Sequence, residues 1–136
     1  MEILYNSAYL TISYDSDNNW IYADWKGVQT PDNIAKGGLA MIEITETVNK
    51  KKGCIKVLND NTHVIGHWST GKEFNDEEWF RMMKEAGMKF FAWVLSPNVL
   101  SKVSSQKMIH SSGREFDQNI RTFHNMAEAK KWLKLQ

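Results

Sequence analysis

The run MKFFAWVL, Met88 to Leu95, is apolar at every position except Lys89. It falls well short of the roughly 18 residues that a membrane-spanning helix requires. Its aromatic content suits a strand, and a strand with no polar face has to be covered on both sides. Such a strand lies inside a sheet that carries helices, so the rest of the chain has to supply the cover.

The helix signals are present. In TPDNI, Thr30 can cap a helix and Pro31 fits its first position, where a missing N–H leaves no bond unmade. Ile34, Met41 and Val48 then recur at intervals of seven, with Ala35 and Ile42 beside them, as one apolar stripe. Gly37 and Gly38 weaken this helix by about 1 kcal/mol each relative to alanine. Close packing of the helix on the sheet is the compensation we expect, not a phosphate loop, because the pair lies inside the helix. A second start stands at FNDEEW: Asn75 can cap, Glu78 occupies the capping-box position, and Phe74 can staple to Trp79. Trp79, Met82, Met83 and Ala86 continue its apolar face, and Gly87 ends it. Ser96 and Pro97 repeat the cap-then-proline signal ahead of a serine-rich segment that runs to about His110. Asn125 and Glu128 form another capping box, opening a terminal helix that buries Ala129, Trp132 and Leu133.

Strands separate these helices. YLTISYD and WIYADW flank the turn-rich SDNN and read as an antiparallel hairpin. CIKVL is a short apolar strand, and QNIRTF reads as the last one. The order is a hairpin followed by α-β-α-β-α-β-α. It predicts one α/β domain over residues 1–136, with a mixed, largely parallel sheet, an antiparallel N-terminal margin and about four helices. A chain of 136 residues can bury a single sizeable core.

Composition narrows the function classes. A formal net charge of +1 provides no field to steer nucleic acid or an anionic membrane. The lone cysteine, Cys54, can form no internal disulfide and sits in an apolar run, so we read it as a buried structural thiol. The chain does not open on a basic-then-apolar leader, and no apolar run is long enough for a membrane span. A bacterial-type cytoplasmic protein is the expectation.

VLNDNTHVIGHWSTG, Val57 to Gly71, concentrates the chemistry-bearing residues. His63 and His67 are spaced as two zinc ligands on one helical face would be, and Asp60 could complete a three-ligand set. Val64, Ile65 and Gly66 make poor helix, however, and we read both histidines as lying on a strand-exit loop. His110 and His124 stand alone in the sequence. Ser69 and Thr70 lie near His67 without an evident orienting acid, and no nucleophile elbow is present. STGKEF lacks the glycine and the hydroxyl that a phosphate loop needs. Asp76, Glu77 and Glu78 complement the positive end of their helix. Trp79, Trp93 and Trp132 fit core positions, whereas Trp25 and Trp68 suit a pocket or contact surface. No metal or other cofactor is assigned, and folding is expected to be independent of metal.

DWKGVQTPDNI, IKVLNDN, MKFFAWVLSPN and IRTFHNMAEAKKWL together resemble the STAS-like, SpoIIAA-like domains, from about Trp20 to Leu133. The resemblance implies the α/β fold just described. It is a fold of bacterial anti-sigma-factor antagonists and is also likened to lipid-binding Sec14-type domains. In the antagonists a phosphorylatable serine follows a central strand, usually after an aspartate. The matching place here is Asn59-Asp60-Asn61-Thr62, where Asp60 agrees in type and Thr62 is the nearest hydroxyl, so Thr62 is the implied phosphosite.

These readings lead to a non-catalytic regulatory or binding module. It is expected to contact a protein partner or a small apolar ligand through loops at the carboxyl ends of its parallel strands, where open α/β sheets bind ligands. Asp60, Thr62, His67, Trp68 and Ser96 are the residues expected to share that surface, with Trp68 as anchor. Self-association into a homodimer is left open. The competing reading is a small enzyme or metal-dependent hydrolase using Asp60, His63 and His67.

Overall fold

The computed structural model describes residues 1–66, 76–97 and 118–136. Among them are six strands and three helices. In chain order these are β1 (Glu2–Asn6), β2 (Leu10–Asp15), β3 (Trp20–Val28), α1 (Pro31–Lys52), β4 (Lys56–Ile65), α2 (Asp76–Glu85), β5 (Phe90–Val94), β6 (Ile120–Phe123) and α3 (Met126–Lys134). The strands form one sheet in sequential order, β1 to β6. The pairs β1–β2 and β2–β3 are antiparallel, and β3–β4, β4–β5 and β5–β6 are parallel. The sheet is therefore mixed, with the antiparallel margin at the N-terminal side. The helix expected after Pro97 lies outside the described residues, as does the Asn75 cap.

α1 begins as its sequence directs. The Thr30 side chain accepts from the Asn33 N–H, Pro31 opens the helix, and Gly53 ends it in the left-handed conformation at φ 66°. Ile34, Met41 and Val48 are all buried. Gly37 explains the helix-weakening glycines: a Cβ there would stand 2.8 Å from Trp25 Cζ3 and 2.9 Å from Leu10 Cδ2. α1 thus lies directly on the sheet. Gly38 brings its carbonyl within reach of α2, where the Trp79 indole donates to it at 3.0 Å.

Among the described residues, this side of the sheet carries the larger core. Leu10, Ile12, Ile21, Ala23, Trp25, Val57, Phe91 and Trp93 from the strands meet Ile34 and Met41 of α1 and Phe80 and Met83 of α2. Phe80 packs edge-on to Trp79 at 5.0 Å and to Phe91 at 5.3 Å between ring centroids, the arrangement aromatic quadrupoles favour. On the opposite side α3 covers Trp20, Leu58, Ala92 and Val94 with Ala129 and Leu133. The Asn125 side chain caps α3 by accepting from the Glu128 N–H at 2.9 Å. β5 is covered on both faces, as its sequence requires, and it lies next to the last strand in the sheet.

Three expectations need correction. The expected hairpin is there as β2 and β3, but the antiparallel margin is wider than expected, because β1 adds an edge strand whose residues are almost all exposed and carry no apolar alternation. Trp25 is no pocket liner: it is 2% exposed, and its indole donates to Asn59 Oδ1 at 2.9 Å inside the core. The strand that begins at CIKVL does not stop there. β4 runs through the polar NDNTHVI to Ile65, so His63 lies on a strand and not on an exit loop.

Candidate functional site at the carboxyl ends of the parallel strands

β4 stays extended through polar residues because the polar groups on both its faces find partners. Towards the α1 side, Asn59 accepts from Trp25 and donates to Asn61 Oδ1 at 3.3 Å. Towards the α3 side, Asp60 is 2% exposed. Its Oδ2 accepts from the Tyr22 hydroxyl at 2.7 Å, and its Oδ1 accepts from the Thr62 N–H at 2.9 Å and from Thr62 Oγ1. The backbone ladder continues as well, with Asp60 opposite Asp24 of β3 and Val94 of β5.

A register shift brings in the histidine. Asp24 faces Asp60, but Lys26, two residues on, faces His63, three residues on. The extra residue on β4 is a bulge, which re-aims the side chains beyond it. Without it the period-two alternation would place Asp60 and His63 on opposite faces. With it, His63 Nδ1 stands 3.4 Å from Asp24 Oδ1. Donor atoms of Asp24, Asp60 and His63 all lie within 4.8 Å of one another.

The electrostatics follow from this crowding. Burial pushes the Asp24 carboxyl above the usual range; the His63 bond opposes the shift, and the Asp60 charge adds to it. Burial, together with donation to Asp60, raises the Tyr22 phenol well above its ordinary value, so it serves as a fixed donor. Burial likewise raises the Cys54 thiol, in keeping with a structural role.

Beside this cluster lies a cleft of about 320 Å³, bordered by the ends of β4, β5 and β6 and the start of α3. Leu95, Pro97 and Met126 give it apolar wall; Thr62, Ser96, His124 and Asn125 give it polar groups. The Ser96 hydroxyl donates to the Val64 carbonyl at 3.1 Å, tying the exit of β5 to β4. A second cleft of similar volume lies between β1 and α1, lined by residues such as Leu4, Glu43, Ile44 and Lys51. It sits at the antiparallel margin, away from the strand ends and the polar cluster, and we give the β4–β6 cleft precedence for that reason.

Of the residues expected to share a surface, Thr62 and Ser96 line one cleft, and Asp60 adjoins it through its bonds with Thr62. Asp60 and Thr62 reach that position from a strand, not a loop. His67 and Trp68 lie outside the described residues. Sequence reasoning missed Asp24 and Tyr22 as site residues. Their signal was their alternation with Ile21, Ala23 and Trp25, which placed two polar groups on the second face of a buried strand. It also gave no role to His124, which borders the cleft from the position before the α3 cap. Comparison with protein-family models and with curated proteins finds no match.

Proposed function

We propose that the chain is a non-catalytic binding module of the STAS-like type, taking a small ligand with an apolar body, or the apolar side chain of a protein partner, at the carboxyl ends of its parallel strands. The cleft between Thr62, Ser96 and Met126 carries this reading, because it joins apolar wall to a few polar groups at the place where α/β sheets bind. Phosphorylation of Thr62, which the family resemblance implies, would exchange a donor to Asp60 for strong negative charge beside that buried carboxylate. It would therefore act on the cleft wall by repulsion. A titration of the ¹⁵N-labelled protein with octanoate tests the reading. Amide shifts should concentrate at Thr62, residues 95–97 and residues 124–126, and Met126→Trp, which fills the cleft, should abolish them. Shifts confined to the β1–α1 cleft, or none at millimolar octanoate, would count against it.

A second reading, a metal-dependent hydrolase using Asp60, His63 and His67, draws support from the shared face of Asp60 and His63. Hydrolysis of p-nitrophenyl esters or phosphates that is lost in His63→Gln would favour it over the binding module.

A further inference from the structure

We propose that Asp24, Asp60 and His63 form a binding site for one divalent transition-metal ion. The site goes beyond the binding-module reading, adjoins the cleft without being part of it, and requires no catalysis.

The donors come from adjacent strands held in fixed register. Metal–oxygen and metal–nitrogen bonds of about 2.0–2.2 Å allow two ligand atoms on one ion to stand up to about 4.4 Å apart. The 4.8 Å envelope of the three donors is therefore within a small side-chain adjustment of coordination. The freedom for that adjustment is present: the His63 side chain is 64% exposed and that of Asp24 22% exposed. Asp60, by contrast, is buried and fixed. Tyr22 donates to Oδ2 and Thr62 donates twice to Oδ1, so Oδ2 keeps capacity for a further contact. Hydrogen bonds of this kind orient the ligands in established metal sites.

Charge supplies an argument independent of the geometry. A carboxylate that is nine-tenths buried calls for a compensating cation or a proton. Among the described residues, neither Asp24 nor Asp60 is in an ion pair with a lysine or arginine. Lys26, the residue opposite His63, instead directs its Nζ to Thr11 Oγ1 at 2.9 Å. The contact seen is the one between Asp24 Oδ1 and Nδ1 of the exposed His63 imidazole, at 3.4 Å. The Lys26 charge acts on Asp24 without a contact, and a divalent ion bound between the two carboxylates in register would answer both charges at once. Entry is from the His63 side, where solvent reaches the cluster and can fill the remaining coordination positions.

The donor chemistry selects the ion. Two carboxylates and an imidazole suit Mn²⁺, Fe²⁺, Co²⁺ or Zn²⁺, whereas Ca²⁺ and Mg²⁺ prefer oxygen donors alone. Three protein ligands leave positions open for water, unlike the closed four-ligand sets of structural zinc.

The test uses the full chain, stripped with chelator and titrated with Mn²⁺ alone, with free ion followed by electron paramagnetic resonance. One saturable equivalent is expected, with affinity reduced about tenfold to a hundredfold or more in Asp24→Asn and in His63→Gln. Both substitutions are on solvent-accessible side chains and should fold, as circular dichroism would show, so the test does not depend on Asp60→Asn folding. Zn²⁺ should compete for the site and Mg²⁺ should not. Absence of saturable Mn²⁺ binding to the wild type, or affinity unchanged in both variants, would overturn the site. The octanoate titration contains no metal and maps to other residues, so the two proposals fail separately.

Discussion

On one face of the sheet, β2 and β3 present Leu10, Ile12, Ile21, Ala23 and Trp25 to α1 and α2; on the other, the same strands present Thr11, Tyr22, Asp24 and Lys26. The first face is apolar and closed by two helices. The second is apolar only under α3, a helix of nine residues that reaches β4, β5 and β6. Beyond its reach the strand chemistry turns polar, and both the carboxylate cluster and the neighbouring cleft lie along that boundary. The contrast separates two jobs within one sheet. Among the described residues the α1–α2 face gathers most of the buried apolar side chains and should set stability, while the α3 face is where the ionisable groups converge.

The strongest way to break this division is through Phe80. It is fully buried and meets Trp79, Phe91 and Trp93. Phe80→Ala should cost about 3–5 kcal/mol in urea unfolding, a large share of the roughly 5–15 kcal/mol that holds a domain folded. A loss under about 1 kcal/mol would mean that the α1–α2 face is not the stabilising one. Gly37→Ala sharpens the same point more gently. Alanine gains about 1 kcal/mol in helix propensity, but its methyl would meet the Trp25 ring, which the bond to Asn59 holds in place. Overpacking of this kind commonly costs about 1–3 kcal/mol, so with the propensity gain a net loss of up to about 2 kcal/mol is expected in urea unfolding. A stabilised variant would show that α1 stands off the sheet.

The same contrast explains what the sequence made legible. Features governed by local chemistry could be read directly: the Thr30 cap with Pro31, the Ile34–Met41–Val48 stripe, the Asn125 cap, and β5 covered on both faces. Each depends on residues a few positions apart and on burial of one apolar stripe. The polar half of β4 could not be read this way. Asn59, Asp60 and Asn61 look like a loop until Trp25 and Tyr22, more than 30 residues earlier, supply their partners. The bulge that turns His63 towards Asp24 is likewise a property of the β3–β4 pairing, which no window on β4 alone reveals. Trp25 was misjudged for the same reason, since its polar neighbours in sequence gave no sign that Gly37 and Leu10 would enclose it. That Thr62 and Ser96 come together at one cleft was legible from the order of strands and helices. Its chemistry depended on long-range register.

The smallest expected effect tests the polar side directly. In chelator-containing buffer Asp24 carries a charge that the fold disfavours, because burial and the Asp60 carboxylate raise its affinity for a proton above that of the unfolded chain. The sign follows from linkage. A carboxyl whose folded value is raised contributes stability that is fully present below its unfolded value, near pH 4, and lost as pH rises through the folded one. Asp24→Asn removes the charge, so the variant should melt slightly above the wild type at pH 7, with the advantage shrinking as pH falls through the carboxyl range. Both proteins should unfold cooperatively without metal, since the two apolar cores do not depend on one. Saturating Mn²⁺ should then reverse the order. An ion that binds only the folded state adds stability in proportion to the logarithm of its occupancy ratio, about 2.7 kcal/mol at a hundred times the wild-type Kd. The variant, binding about tenfold to a hundredfold more weakly, should gain at most about 1.4 kcal/mol at the same concentration. A variant less stable than the wild type at pH 7 in chelator would mean that the His63 pairing outweighs burial and repulsion at Asp24. The polar face would then stabilise the fold as well as hold its chemistry, and the division between the two faces would fail at this residue.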